Sequence, residues 1–523
     1  MAGSRKTVLW VDDEIEFLRA HIMFLETRGY SVIPVFTGDD AIHLIQEGPA
    51  RFDIVLLDEQ MPGKDGLTTL QEIKQLSPDL PVVMVTKSEE EQVMEDALGM
   101  KIDGYLTKPV NPSQILSVCK RLLDYRQIVT SRISQRFVRS FSEIRTRLSS
   151  GLDAWGWSSL YEELVRWDLE LEKIEDEGIR QTHAGQKSDA NAAFSQFVVE
   201  NYPGWVRGRE GVPPMISDVA ERVIYPRLAR GERTALVVLE GLRLDQYLGM
   251  ERLLRRDFGI ETQCYYSVLP TSPPFSRHAL FAGMLPLDIA ERYPKTVWGA
   301  DEDEDSYGPE RGFLAGKLRD LGSRIKRAPR YVKVDDSESA GRLLNKLPSF
   351  RRSRFFSIVV NMVDLLTQSR SESNILREIA PDETAFRSLT QSWFQYSTLL
   401  QIIRKLGEQK CTVVLASDHG SVFCTRSTEL YGSRGGGTGR FRLGKDITCD
   451  ERYAVHLSDP AVYGLPPLDP ETVWVIAREN YHFSAPENFK EYSRQYRTTF
   501  QHGGISMEEM IVPVAILRPK REG

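Results

Sequence analysis

The sequence predicts an α/β protein of three parts: a doubly wound parallel sheet over 1–124, a helical bundle linker over 125–204, and a larger α/β domain over 205–523. Three observations carry this. Short β-rich runs alternate with helical stretches from 7 to 126, the signature of βαβ units. Strand signals vanish between 112 and about 200. After Pro203-Gly204 strand-like runs return, separated by long helical segments.

The first part is marked by Thr7–Val11, Val32–Val35, Ile54–Leu57, Val82–Val85 and Tyr105–Leu106. In the second, Leu160, Leu164, Trp167, Leu171 and Ile174 fall on one helix face and predict a bundle core. The polar stretch Thr182–Asn191 predicts a turn or loop. In the third, runs at Ala235–Leu239, Phe356–Val360, Thr412–Ala416, Val473–Ile476 and Met510–Leu517 predict another sheet.

Composition narrows the function classes. At 523 residues the chain accommodates two to four domains of roughly 100–200 residues. Its 41% hydrophobic and 27% charged content is that of a globular protein. A net charge of -7 argues against a general nucleic-acid coat. The five cysteines are odd in number, widely spaced and without a CxxC pair, which predicts neither a disulfide framework nor a cysteine zinc ribbon. The N-terminus lacks a signal-peptide pattern, and no run approaches the roughly 18 apolar residues of a membrane span, so a cytoplasmic location is expected.

Chemistry gathers first where buried strands end in acids, since carboxylates are costly to bury without partners. Strand one ends in Val11-Asp12-Asp13-Glu14 and strand three in Leu57-Asp58-Glu59-Gln60. In a doubly wound sheet both ends face one crevice. Three carboxylates there call for a cation, and oxygen ligands with room for water suit Mg²⁺, held by Asp13 and Asp58, with Asp12 nearby and the Gln60 backbone carbonyl. Strand four ends in Thr86, and strand five in Tyr105-Leu106-Thr107-Lys108-Pro109. The set reads as a phosphoryl-transfer site: Asp58 as nucleophile, Lys108 and Thr86 contacting phosphate oxygens. It resembles response-regulator receiver domains, which are flavodoxin-like. The resemblance implies phosphorylation at Asp58 by a sensor histidine kinase, a switch through Thr86 and Tyr105, and homodimerisation on phosphorylation.

The third part has strand-end acids of its own: Glu240-Gly241-Leu242-Arg243, Asn361-Met362-Val363-Asp364, and Ser417-Asp418-His419-Gly420, with a late Gln501-His502-Gly503-Gly504. Asp and His converging at strand ends suit Zn²⁺ or Mn²⁺. Their order resembles the alkaline-phosphatase superfamily in its PglZ branch, over roughly 205–520. Receiver, helices and PglZ domain together look like the PorX-type response regulators. That resemblance implies zinc binding, hydrolysis of cyclic or linear oligonucleotides, and control of a secretion system. Carried over by position, it gives one metal site of Glu240, Asp418 and His419, and a second, incomplete one of Asp364 and His502. Gln368 stands where a ligating histidine is usual. Pro273 stands where the threonine nucleophile is usual, leaving Thr271 or Ser272 as the replacement, with Thr271 taken as the candidate nucleophile.

Residues 434–445 (RGGGTGRFRLGK) carry Arg434, Arg440, Arg442 and Lys445 among glycines. A mobile loop gripping a phosphodiester backbone, with Phe441 stacking on a base, is one reading; a solvated surface loop is the simpler one. Arg243 is a further candidate ligand contact. Arg132, Arg136, Arg139, Arg145 and Arg147 make the linker basic without a helix-turn-helix signature, which disfavours a DNA-binding factor. The functional expectation is a phosphorylation-switched effector that binds zinc and a nucleotide or oligonucleotide and is a candidate phosphodiesterase. The competing expectation is a degenerate domain that docks a transcription or secretion protein.

Overall fold

The computed structural model describes residues 5–48, 52–87, 102–174, 176–209, 211–296, 298, 308–322, 329–432, 436–467, 471–484 and 498–520. It divides into two compact units, Met1–Arg136 and Phe137–Gly523.

The first unit is a five-stranded parallel sheet in the order β2-β1-β3-β4-β5, the flavodoxin-like arrangement. Its strands are β1 (Lys6–Val11), β2 (Tyr30–Val35), β3 (Ile54–Asp58), β4 (Val82–Thr86) and β5 (Gly104–Thr107). Apolar residues of β3 and β4 are buried on both faces, as a sheet covered on both sides demands. The helices α1 (Arg19–Glu26), α2 (Gly38–Glu47), α3 (Gly66–Leu76) and α4 (Pro112–Cys119) supply the cover. Side chains fix their starts: Thr37 accepts from Asp40 N, Asp65 from Thr68 N, and Asn111 from Ser113 N, just before Pro112.

Helix α5 (Tyr125–Ser150) runs across the division between the units. In the second unit, α6 (Ala154–Leu171) buries Leu160, Leu164, Trp167 and Leu171 as the periodicity predicts. Helix α7 (Glu177–Val206) corrects two expectations. Thr182–Asn191 is helix interior, and Pro203-Gly204 lies inside the last turns. The stretch looked like a loop because it is polar. Yet His183, Lys187, Ala190, Phe194, Val198 and Tyr202 recur at helical spacing and are all buried. Polar members of that face find partners in the C-terminal part of the same unit.

A six-stranded sheet, β7-β19-β10-β6-β9-β8, forms the centre. Strands β10 (Thr412–Ala416), β6 (Thr234–Leu239), β9 (Phe355–Val360) and β8 (Arg330–Val334) run parallel. Strand β19 (Ile511–Pro519) lies antiparallel to both β10 and β7 (Phe258–Tyr266). The helices that bear on the site are α8 (Leu244–Leu254), α9 (Pro273–Ala282), α10 (Met362–Glu372), α11 (Glu383–Tyr396) and α12 (Met507–Met510). Three small sheets complete the unit. They pair β11 (Val422–Cys424) with β18 (Thr499–Gln501); β14 (Thr448–Cys449) and β17 (Tyr481–Ser484) with β12 (Arg426–Tyr431); and β13 (Phe441–Gly444) and β15 (Ala454–Leu457) with β16 (Val473–Ala477). No described helix is long and apolar enough to cross a membrane. The five cysteines form no disulfide.

Candidate functional site

The sheet of the first unit delivers Asp12 from the end of β1 and Asp58 from the end of β3. Carboxylate oxygens of Asp12, Asp13 and Asp58 lie within 4.8 Å of one another. Lys108 Nζ donates to Asp12 Oδ2 at 2.9 Å and to Asp58 Oδ2 at 2.8 Å. Burial pushes the Asp58 carboxyl above its ordinary pKa; Lys108 opposes that, and Asp12 and Asp13 add to it. Burial works against the Lys108 charge, but Asp58 and Asp12 outweigh it and raise its pKa. One lysine among three acids leaves a net negative pocket of hard oxygens, which fits a magnesium ion. Gln60 is exposed and lines a cavity of about 560 Å³ with Asp13 and Glu59. Thr86 is fully buried at the end of β4 and donates its hydroxyl to the Glu59 carboxylate. Tyr105 on β5 is half-buried against the core. Gly66 must be glycine here: a Cβ would stand 2.3 Å from the Asp58 carbonyl oxygen.

In the second unit the carboxyl ends of β6, β9 and β10 face one region. Asp418 and His419, wholly buried, follow β10. Asp418 Oδ1 accepts from Gly241 N at 3.2 Å and His419 N at 2.9 Å, while Oδ2 has no hydrogen-bond partner. His419 Nδ1 lies 2.9 Å from the Gly420 carbonyl oxygen. A carbonyl only accepts, so Nδ1 is the donor, and Nε2 is the nitrogen that a neutral ring offers as a lone pair. That Nε2 is buried, without a hydrogen-bond partner, and 3.7 Å from Asp418 Oδ2. His502 stands beside it, ring centroids 4.6 Å apart, with its Nε2 3.9 Å from Asp364 Oδ1 and its buried Nδ1 without a hydrogen-bond partner. Burial, then the neighbouring His419, lowers the His502 pKa and keeps it neutral. Buried acceptor atoms left unsatisfied are costly unless something fills the space between them. Carboxylates and imidazoles are the donor types of a borderline metal such as zinc, and here they stand as two pairs, Asp418–His419 and Asp364–His502.

Several expectations need correction. Glu240 is not drawn into a trio with Asp418 and His419. Its Oε1 is held by Arg277 of α9, whose Nε reaches Glu310 Oε1 at 2.5 Å. One guanidinium bridges two buried acids, and among the described residues only the Asp12–Asp13–Asp58 group has three ligand atoms within reach of one ion. Gln368 Nε2 donates to Asp364 Oδ2 at 2.8 Å, so it orients that carboxylate rather than ligating. The Thr271 hydroxyl accepts from Gly503 N and donates to the Gly504 carbonyl, both at 3.0 Å, which ties it to the loop that carries His502. Pro273 opens α9, with Ser272 as its N-cap.

The expected cationic loop is not a unit. Arg440 is wholly buried, paired with both carboxylate oxygens of Glu509 at 3.1 and 2.6 Å and bonded to the carbonyls of Arg478, Glu479 and Tyr481. It braces the fold and is not available to a ligand. Arg243, 1% exposed, is held by Asp245 at 2.9 Å and Glu383 at 2.6 Å. Arg442 on β13 and the exposed Lys445, 2.5 Å from Glu471, remain near the surface. Arg434 lies outside the described residues.

Sequence reasoning missed the frame around this site. Asn191 of α7 donates to Glu508 Oε2 and accepts from Met507 N, both at 2.8 Å. Lys187 lies 3.1 Å from Asp168, 3.4 Å from Glu383 and 3.7 Å from Glu508. Tyr202 accepts from Leu269 N at 3.0 Å, just before the Thr271 loop. Gly420 packs so closely that a Cβ would stand 1.9 Å from the Glu508 carbonyl oxygen. The available signal was the spacing of His183, Lys187 and Asn191 at i, i+4, i+8.

The chain matches three family models in order: a response regulator receiver domain over residues 8–120, a PorX response regulator linker domain over 127–206, and a BREX system PglZ alkaline phosphatase-like domain over 219–517, more than half of the chain. The chain belongs to the PorX-type response regulators, a receiver joined to a PglZ domain. Curated relatives include the transcriptional regulatory protein BaeR of Escherichia coli O6:H1, 35% identical over 118 residues, which are 22% of this chain and 47% of that protein. The transcriptional regulatory protein ResD of Bacillus subtilis is 34% identical over 116 residues, with the same shares. The chain thus spans about half the length of these relatives. A CheY-like receiver structure from Methanospirillum hungatei is 30% identical and covers 23% of this chain and 96% of its own, with a TM-score of 0.22.

Proposed function

We propose that Asp58 accepts a phosphoryl group from a sensor histidine kinase and that this switches the PglZ domain. A phosphorus–nitrogen bond on the kinase's phosphohistidine breaks as a Asp58 carboxylate oxygen bonds to phosphorus. Magnesium, held by Asp12, Asp13, Asp58 and the Gln60 carbonyl, would supply neutralising charge. Lys108 pairs with the phosphoryl oxygens, Thr86 moves toward them and Tyr105 swings inward, promoting a homodimer. The observation that carries this is the cluster of three acids, the one such group among the described residues, with Lys108 bridging two of them. An acyl-phosphate donor should label wild type, leave Asp58→Ala unlabelled, and shift only wild type from monomer to dimer in size-exclusion chromatography. Equal dimerisation of the two proteins sinks the switch.

For the effector we infer a zinc-binding site for a nucleotide or oligonucleotide phosphodiester, supported by the unsatisfied buried atoms of Asp418, His419 and His502. When bound, zinc supplies Lewis acidity toward a phosphoryl oxygen. Asp364, oriented by Gln368, pairs with His502. Hydrolysis of bis-p-nitrophenyl phosphate that is lost in both Thr271→Val and Asp418→Ala would establish a phosphodiesterase. The committed hydroxyl of Thr271 and the Glu240–Arg277 pair favour a second reading, a metal-bound recognition domain that docks a transcription or secretion protein. Stoichiometric zinc without hydrolysis selects it. A cytoplasmic location accords with either.

A further inference from the structure

We propose that Glu59, the residue after the phosphoacceptor, is a positioning residue that holds the receiver in its resting state by occupying the switch hydroxyl. The inference rests on the reading of Asp58 and Thr86 given above.

The geometry is local and well braced. Glu59 N donates to the Val85 carbonyl at 3.0 Å, and the Glu59 carbonyl accepts from Gly66 N at 2.8 Å. Gly66 presses on this strand end so tightly that a Cβ would stand 2.7 Å from Glu59 Cα. The backbone is therefore pinned, and it aims the carboxylate at Thr86, whose Oγ1 donates to Glu59 Oε2. Glu59 also lines a cavity with Asp13 and Gln60.

A threonine hydroxyl has one proton to donate. Thr86 gives it to Glu59 or to a phosphoryl oxygen on Asp58, not to both. A phosphoryl group also brings about −1.5 to −2 charge, which a nearby carboxylate resists. Phosphorylation must therefore displace Glu59 from Thr86 before the hydroxyl can move. Glu59 thus opposes the active state, and its removal should make that state easier to reach.

The test uses beryllofluoride with Mg²⁺, a phosphoryl mimic that needs no kinase, titrated into the full chain by isothermal calorimetry. Glu59→Ala should bind it roughly three- to tenfold more tightly than wild type, the span of one hydrogen-bond competition. In a Thr86→Val background the gain should disappear, because the contact being released is gone. Unchanged or weaker binding by Glu59→Ala, or a full gain that persists with Thr86→Val, overturns the proposal. Failure of wild type to bind at all, with Asp58→Ala indistinguishable from it, refutes instead the reading of Asp58 on which the proposal stands.

Discussion

The receiver acids and the PglZ acids solve the same problem in opposite ways. At Asp12, Asp13 and Asp58 the carboxylates crowd together and a single lysine bridges two of them, so the pocket stays electrically hungry for a cation. In the PglZ domain the candidate ligands divide into two pairs, Asp418–His419 and Asp364–His502, and Glu240 is neutralised by Arg277. A site that must exchange a phosphoryl group keeps its charge unspent. A site framed by buried ion pairs spends most of it on its own architecture. The sharpest way to break this comparison is Asp58→Ala against Asp418→Ala. The first should abolish phosphoryl uptake while leaving zinc content unchanged; the second should do the reverse. A variant that loses both functions would show that the two sites are not separate chemistries.

Next in size is the frame itself. Lys187 is buried with Asp168, Glu383 and Glu508, and those acids hold its pKa well above the ordinary lysine value against the pull of burial. Lys187→Met removes the cation shared by Asp168, Glu383 and Glu508, which keep His183, Arg243 and Asn191 as partners, and should cost about 1–3 kcal/mol in urea unfolding of the second unit. The receiver transition should not move. An effect below about 1 kcal/mol would mean that solvent reaches those acids.

The contrast also explains what the sequence disclosed. Receiver chemistry was legible because each functional residue sits at the end of a short apolar strand, and parallel strands bring those ends to one edge by topology alone. Topology likewise gathered Asp364, Asp418 and His502. What stayed hidden depended on side chains that no local pattern announces. Arg277 meets Glu240 across 37 positions, and Asn191 meets Glu508 across 317. Arg440 sat in a glycine-rich stretch that looked mobile, yet Glu509 draws it fully inside. Lys187 and Asn191 lay in a polar stretch that reads as a turn or loop, because polar residues in a helix core are rare unless paired, and Glu383 and Glu508, which help pair them, lie 196 and 317 positions away.

Acid response should separate the regions too, with opposite signs. His482 on β17 is pushed down to about 4, first by burial and then by Arg440. Its folded pKa lies below the unfolded value, so the stabilisation is present above about 6.5 and is lost as pH falls toward 4. The loss should be about 2–3 kcal/mol between those limits. Asp58 has a raised folded pKa, so its burial cost builds as pH rises above the unfolded value and is complete above the folded one, and acidification relieves it. Urea unfolding followed from pH 7 to 5 should weaken the second unit, and His482→Phe should flatten that slope. A slope unchanged in the variant would locate the acid sensitivity elsewhere.

The smallest expected effect concerns the cations once grouped with Arg440. Lys445 is exposed and pairs only loosely in energetic terms with an exposed Glu471. Screened surface pairs contribute about 0–1 kcal/mol, so Lys445→Ala should leave the unfolding midpoint of the second unit nearly unchanged, whereas Arg440→Ala, which strands Glu509 and three carbonyls, should not fold to the same stability. Ligand binding gives the finer reading. If an oligonucleotide runs along β13, where Arg442 and Lys445 stay near the surface, Lys445→Ala should weaken binding evenly across sequences and reduce the salt slope by about one unit. An unaltered slope would take the phosphodiester path off β13.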